Sequence, residues 1–260
     1  MGAPYEIDPD DPRAPSMEVW AAMTPEQRRR VVASLPSELP RAAPPEGDPH
    51  SIPKNRAREA LDDWFSRRGR SVYIASELPV YYPDERVFAP DLIAVLDVSK
   101  HERMSWVVAE EGQGLDFVLE IHVAGNRLKD TRDQVEKLAR LGVPEYFVFE
   151  PLARRISGHR LSPPGAPTSG RTYEPIMPQG GRWASTVLEL ELGLDEGQLR
   201  FFAGVAPLPH ARELIDRLTG MVDDAIGRAE EESRRAEEES RRAERLAAKL
   251  RELGVDPDAL

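Results

Sequence analysis

The fold is decided by three apolar stretches: APDLIAVLDV at residues 89–98, LDFVLEIHV at 115–123 and GVPEYFVFEP at 142–151. They are rich in β-branched and aromatic residues and are bounded by Gly, Pro or Asp, which predicts strands over 91–97, 115–123 and 145–150. Apolar residues at helical spacing predict a helix over 129–141 between the last two. The order strand, strand, helix, strand is typical of an α/β protein with a mixed central sheet and a crossover helix.

Two helices are predicted upstream of these strands. Thr24 is a favourable N-cap and Pro25 suits the first helical position, so a short helix is expected over about 25–34. The proline-rich stretch 36–50 is typical of a linker. Apolar residues then recur at helical spacing, which predicts a second helix over about 53–68.

More β structure is expected around this core. The pattern predicts a strand over 71–76, a hairpin formed by 154–162 and 171–178, and a further β region over 181–194. Together with the helices, this predicts three parts. They are an N-terminal extension, disordered apart from its short helix, at 1–49, an α/β domain at 50–210, and a charged C-terminal helix at 211–260.

The C-terminal helix contains a heptad repeat. The motif AEEESRR begins at Ala229 and again at Ala236, and Ala243 starts an altered third copy. Alanine alone makes a weak seam, whereas Glu–Arg pairs three and four residues apart stabilise a single solvated helix. Both a solvated helix and a weak coiled coil that forms a homodimer remain open.

Composition limits the kinds of protein this chain can be. It has no cysteine, so disulfides and thiolate metal sites are excluded, and any metal must be held by oxygen or imidazole. No apolar run approaches the roughly 20 residues that span a bilayer, so we expect no membrane partner and a cytoplasmic location. The formal net charge of −11 argues against a uniformly basic DNA-coating protein but allows a local site.

Two carboxylates lie in the apolar strands. Asp91 follows Pro90 at the start of one strand, and Glu120 lies between apolar neighbours in the next. Burying an uncompensated carboxylate costs several kcal/mol, which a divalent metal shared by both residues would offset. Oxygen ligands of this kind suit Mg²⁺, or Mn²⁺ in its place, and a metal-bound water can attack a phosphodiester.

A structural role is the alternative for each residue. Asp91 would then be a turn residue, and Glu120 would lie on a solvated strand face, paired with Arg or Lys.

The sequence resembles the Uma-two family of restriction-endonuclease proteins, within the PD-(D/E)XK nuclease superfamily. The matching text is APDLIAVLDV from residue 89, DFVLEIHVAGNRLKDTRDQVEKLARLGVPEYFVFEP from 116, GRWASTVLELELGL from 181 and ERLAAKLRELGVDPD from 244. The resemblance implies a restriction-endonuclease-like domain over 50–210. It also implies a metal held by Asp91 and Glu120, with the main-chain carbonyl of Ile121 as a further ligand.

The sequence departs from the family pattern where the family places a lysine. His122 stands two residues after Glu120, where the superfamily has Lys, and Gln134 stands where many relatives carry a lysine on the next helix. A glutamine can orient a water and a histidine can move a proton, so His122 and Gln134 complete the predicted catalytic set. Neither supplies the charge of an ammonium group.

Other residues were weighed for the same site. Glu59 on the second helix is a candidate further metal ligand, and Lys137 is either a swinging cation or a surface lysine. His50 and His159 have no evident partners in the sequence and receive no role. Trp64, Trp106 and Trp183 are expected in the core or at its rim.

Two functions follow for this domain. The first is a metal-dependent endonuclease, a hydrolase that cleaves DNA phosphodiester bonds. The alternative is a catalytically impaired nuclease fold that serves as a binding or regulatory module, with an oligomerising C-terminal helix.

Overall fold

A computed structural model describes residues 5–38, 47–123, 127–163 and 171–253. The chain divides into two compact units, Met1–Leu208 and Pro209–Leu260. The helices are α1 (Met17–Ala22), α2 (Pro25–Ser34), α3 (Asp48–Arg67), α4 (Val108–Glu111), α5 (Arg127–Leu141) and α6 (Ala211–Glu252). The strands are β1 (Val72–Ala75), β2 (Val80–Tyr81), β3 (Leu92–Leu96), β4 (Trp106–Val107), β5 (Phe117–Ile121), β6 (Glu145–Glu150), β7 (Arg155–Leu161), β8 (Tyr173–Pro175), β9 (Arg182–Ser185), β10 (Leu190–Asp195), β11 (Gln198–Ala203) and β12 (Ala206–Pro207).

The central sheet has six strands in the order β1-β3-β5-β6-β7-β8. Only β5 and β6 run parallel, and α5 connects them, while the other neighbouring pairs are antiparallel. A parallel pair needs a crossover connection of a dozen or more residues, which the helix supplies. The predicted mixed α/β fold with a crossover helix is therefore confirmed.

Two layers cover the faces of this sheet. On one face, α3 and the four-stranded sheet β12-β11-β10-β9 share a core with Leu119 and Phe147. On the other, Leu138 of α5 packs with Val118, Tyr146 and Trp106. Successive side chains of a strand point to opposite faces, so β5 and β6 contribute to both cores. Trp106 is fully buried, as expected.

The C-terminal end of α5 sets the start of β6. Gly142 adopts a positive φ of 82°, and its N–H donates to the Ala139 carbonyl at 3.0 Å. The next N–H, of Val143, donates to the Leu138 carbonyl at 3.1 Å. This pair of bonds is a Schellman motif, which glycine permits because it has no Cβ. It turns the chain directly into a buried strand.

The start of α3 differs from the sequence prediction. The helix begins at Asp48 rather than near residue 53, so the predicted linker over 36–50 is wrong at its end. Pro49 lies in the first turn, where backbone N–H groups have no partner within the helix, and proline is tolerated there. Pro53 lies inside the helix, where it removes one backbone hydrogen bond.

The N-terminal segment is also more ordered than its composition suggests. Ala14 is only 1% exposed and packs with Leu35, Tyr81 and Val107. Arg13 donates to the Asp84 carbonyl at 2.6 Å. The expectation of disorder over residues 1–16 is therefore wrong for the described part of that range.

Other local predictions are confirmed. Helix α2 spans residues 25–34, with Thr24 and Gln27 forming a capping box. The predicted strand over 145–150 is β6, and the hairpin is formed by β7 and β8. Helix α6 is 42 residues long and contains no buried residue. None of the helices in the described part of the chain combines the length and apolar character needed to cross a bilayer.

A fully buried carboxylate ties β6 to the second sheet. Glu145 is 0% exposed and accepts hydrogen bonds from the Thr186 N–H at 2.9 Å and the Thr186 hydroxyl at 2.8 Å. The Ser185 hydroxyl and the Arg160 guanidinium also donate to it. These donors, three to Oε1 and one to Oε2, offset the cost of burying the charge.

We expect Glu145→Ala to lower the free energy of unfolding by roughly 3–5 kcal/mol, because it leaves a buried cluster of donors without their acceptor. Urea unfolding followed by circular dichroism measures the loss. Glu174→Ala, which removes an exposed glutamate from β8, is the control and should change stability by less than about 0.5 kcal/mol. Equal losses in the two variants would contradict the role assigned to Glu145.

Candidate metal centre

The register of β3 and β5 brings two carboxylates together. The strands are antiparallel, and Leu92 pairs with Leu119 at the end of the ladder. One step further along this register, Asp91 lies opposite Glu120. Residues directly opposite each other in an antiparallel pair have Cβ atoms about 4.5–5.5 Å apart. The carboxylates therefore come close enough to share a hydrogen bond.

Both carboxylates lie on the face of the sheet that α5 covers. Leu92 and Leu119 belong to the core on the α3 side. Because successive side chains alternate, Asp91 and Glu120 point to the opposite face, as Val118 does. The structural alternative of a solvated Glu120 paired with Arg or Lys does not describe this arrangement, since its neighbour is another acid.

Asp91 is held by two hydrogen bonds. Its Oδ2 accepts from the Ile121 N–H at 2.6 Å, and its Oδ1 lies 3.2 Å from Nε2 of His50. The side chain of Asp91 is 13% exposed and that of His50 is 21% exposed. Hydrogen bonds from two directions fix the orientation of the carboxylate towards Glu120.

The two carboxyl groups titrate in opposite directions. Burial raises the pKa of Glu120 well above its ordinary value, and the negative charge of Asp91 raises it further. Burial also acts to raise the pKa of Asp91, but the hydrogen bonds from His50 and the Ile121 N–H outweigh it and the pKa is lowered. Ionisation of Glu120 is therefore disfavoured while Asp91 is ionised.

His50 is a site residue that the sequence did not indicate. It was assigned to a linker, whereas it lies in the first turn of α3 and contacts Asp91. The available signal was the pattern Asp48-Pro49, an acidic residue and a proline at a helix start. This pattern predicts a helix that begins near residue 48 and therefore includes His50.

The other predicted site residues lie around this pair. His122 follows β5, is partly buried and donates its backbone N–H to the Phe149 carbonyl at 2.8 Å. Its position two residues after Glu120 places it on the same face of the strand. Gln134 is a partly buried residue of α5, and its side chain makes no hydrogen bond to another described residue.

Two further candidates lie elsewhere. Glu59 is exposed on α3. Lys137 is neither a freely exposed lysine nor a partner of the carboxylates. Its ammonium group lies 3.9 Å from the centre of the Phe88 ring and 3.9 Å from Glu85. Burial lowers the pKa of Lys137.

The donor set suits a divalent cation. Two neighbouring carboxylates that repel each other can share a cation, which removes their repulsion. The oxygens are hard ligands, and Mg²⁺ is commonly held by one or two carboxylates with several waters. Among the described residues, no cluster of three or more His, Asp or Glu side chains has metal-binding geometry.

The fold and the carboxylate pair define a mixed α/β protein with an acidic centre at the strand ends. A family model described as "Uma2: Putative restriction endonuclease" matches residues 28–196, about two-thirds of the chain. The chain belongs to the Uma2 family.

The comparison with solved structures finds a "putative nuclease belonging to DUF820" from Anabaena variabilis ATCC 29413. The match has a TM-score of 0.38 and 13% sequence identity, and it covers 52% of this chain and 72% of the other. The comparison with curated proteins finds no match.

We expect Glu120→Gln to stabilise the metal-free protein at pH 7. The glutamine amide donates to Asp91 as the protonated acid would, without charge repulsion, and the gain is on the order of 1 kcal/mol. The raised pKa means that wild-type Glu120 costs stability as the pH rises from the ordinary glutamate pKa through the raised value. The gain should therefore vanish near pH 4, where Glu120 is protonated.

Thermal unfolding in EDTA from pH 4 to pH 8 measures this difference. Glu59→Gln, an exposed residue of α3, is the matched control and should leave the unfolding temperature unchanged. A Glu120→Gln protein that is less stable than wild type at pH 7 would contradict an unfavourable ionisation of Glu120 beside Asp91.

Proposed function

We propose that this protein is a divalent-metal-dependent endonuclease that hydrolyses DNA phosphodiester bonds. The observation that carries the proposal is the adjacency of Asp91 and Glu120 at the end of a buried sheet. Membership of a family described as a restriction endonuclease supports it.

The proposed metal ligands are Asp91, Glu120 and the Ile121 carbonyl. The Ile121 N–H points towards Asp91, whereas the following N–H, of His122, points to β6. In a strand the N–H and C=O of one residue face the same side, so the Ile121 carbonyl also faces Asp91. A main-chain oxygen therefore lies on the correct side of β5 to join the two carboxylates.

When bound, Mg²⁺ or Mn²⁺ would lower the pKa of a coordinated water and neutralise charge on the phosphate. His50 holds Asp91 in the orientation that coordination needs, as partners of metal ligands commonly do. We assign His122 to proton transfer and Gln134 to orientation of the attacking water. The role of His122 rests on its position two residues after Glu120. The role of Gln134 rests on its position in α5, which covers the face of the sheet to which Glu120 points.

We expect the full chain to nick supercoiled plasmid DNA in Mg²⁺ or Mn²⁺ and to lose this activity in EDTA. Asp91→Asn and Glu120→Gln should each reduce the cleavage rate by about 100-fold or more, because a metal supplies several kcal/mol of transition-state stabilisation. His50→Ala should weaken Mn²⁺ binding by roughly 10–100-fold in calorimetry. Glu59→Gln serves as the control.

Three results would separate the candidate functions. Cleavage of a matched RNA but not of DNA would correct the substrate. Metal binding that depends on Glu120, without cleavage of either nucleic acid, would favour the alternative of a binding or regulatory module. Full cleavage by Asp91→Asn would reject the proposed centre.

We also propose that α6 forms a homodimer. Its apolar residues keep one heptad register from Ile215 and Leu218 through the alanines of the repeat to Leu246, Leu250 and Leu253. Ile215, Leu218, Leu246 and Leu253 are 58–74% exposed. A coiled coil would bury this row, whereas a single helix leaves it in water.

We expect the full chain to sediment with twice its monomer mass. The double variant Leu246→Lys and Leu250→Lys should sediment as a monomer, because charge in the seam opposes pairing. Ala248→Lys changes a position outside the seam and should remain dimeric. A monomeric wild-type chain at micromolar concentration would reject the dimer.

A further inference from the structure

We propose that Lys54 supplies the positive charge with which the acidic centre receives a phosphodiester. This inference rests on the proposed function. It assigns the cation to α3, rather than to β5 or α5, where the sequence has His122 and Gln134.

Lys54 is placed beside the centre by α3. It is four residues after His50, so the two side chains lie on the same face of the helix, about 5–6 Å apart at their Cβ atoms. His50 contacts Asp91 at 3.2 Å. Lys54 is therefore one helical turn from a residue that touches the carboxylate pair.

The partner of Lys54 lies at the same strand ends. Its ammonium group is 2.9 Å from Oε1 of Glu77. Glu77 follows β1, and its N–H donates to the Pro90 carbonyl at 3.0 Å, next to Asp91. The β1–β3 ladder ends where Ala75 pairs with Ile93, two residues before Glu77 in one strand and two after Asp91 in the other.

Burial gives this lysine a fixed direction. The side chain of Lys54 is 5% exposed, whereas that of Glu77 is 41% exposed. The apolar stem is therefore enclosed while the ammonium group ends at a carboxylate that is open to solvent. A phosphate that enters from solvent can replace Glu77 as the partner of the ammonium group, with little movement of the Lys54 methylene chain.

The charges at the strand ends require such a cation. Glu77, Asp91 and Glu120 carry three negative charges when ionised, and one divalent metal cancels two of them. The remaining charge would repel a phosphodiester, and the ammonium group of Lys54 cancels it. Lys137 of α5 lies over the Phe88 ring instead.

The test must separate this role from that of a structural ion pair. Lys54→Met keeps the volume and removes the charge, Lys54→Arg keeps the charge, and Glu77→Gln breaks the pair but keeps Lys54. Each full-length variant is compared with wild type for cleavage of plasmid DNA in Mn²⁺, for anisotropy of a fluorescein-labelled DNA duplex in Ca²⁺, and for Mn²⁺ affinity by calorimetry without DNA.

We expect Lys54→Met to cleave about 100-fold more slowly, as removal of one transition-state donor does in other enzymes. Its duplex affinity should fall, while its Mn²⁺ affinity should rise by about 3-fold, because a repelling charge is gone. Lys54→Arg should recover part of the activity. Glu77→Gln should retain activity within about 3-fold of wild type, since the cation of the centre remains.

The inference is overturned if Lys54→Met cleaves like wild type, or if Lys54→Met and Glu77→Gln lose cleavage and unfolding temperature to the same extent. The wild-type arm tests the proposed function separately. A wild-type chain that binds the duplex without cleaving it rejects the nuclease, and the duplex affinity of Lys54→Met then decides the inference. A wild-type chain that does not bind the duplex overturns both.

Discussion

The antiparallel register of β3 against β5 is the constraint on which the site depends. It pairs Leu92 with Leu119 and so sets Asp91 against Glu120. A shift of this register by one residue would move every side chain of one strand to the other face of the sheet. Its acidic side chain would then point into the opposite core, and its apolar side chains would leave theirs. The register is held by two cores, one on each face of β5, because the strand is buried between β3 and β6. The stability of the fold and the geometry of the acidic pair therefore have the same origin.

Two partly buried carboxylates at this position repel each other. The negative charge of Asp91 raises the pKa of Glu120, while hydrogen bonds lower the pKa of Asp91. The surrounding groups favour one arrangement of charge, because His50 and the Ile121 N–H hold Asp91 as the anion. A cation shared by the two carboxylates relieves the repulsion. By contrast, Glu145 accepts four hydrogen bonds from protein donors, which marks it as structural.

Much of the fold was predictable because its signals are local. The apolar runs of β3, β5 and β6, the capping box of α2 and the crossover helix follow from residues close together in the chain. The start of α3 was not predicted because proline usually ends a helix. Pro49, however, lies in the first helical turn, where proline is acceptable. His50 was therefore placed in a linker rather than in the helix. The burial of Ala14 was also missed, because its partners are distant in sequence.

The sequence by itself determined that two carboxylates, Asp91 and Glu120, lie in apolar strands, where an uncompensated charge is costly. It also determined that no thiolate takes part in the chemistry, because the chain has no cysteine. Only the tertiary structure decided which groups surround that pair. The antiparallel pairing of β1 with β3 and the placement of α3 bring His50, Lys54 and Glu77 to the same strand ends. Contacts of this kind depend on packing between elements far apart in the chain, and no local pattern of residues encodes them.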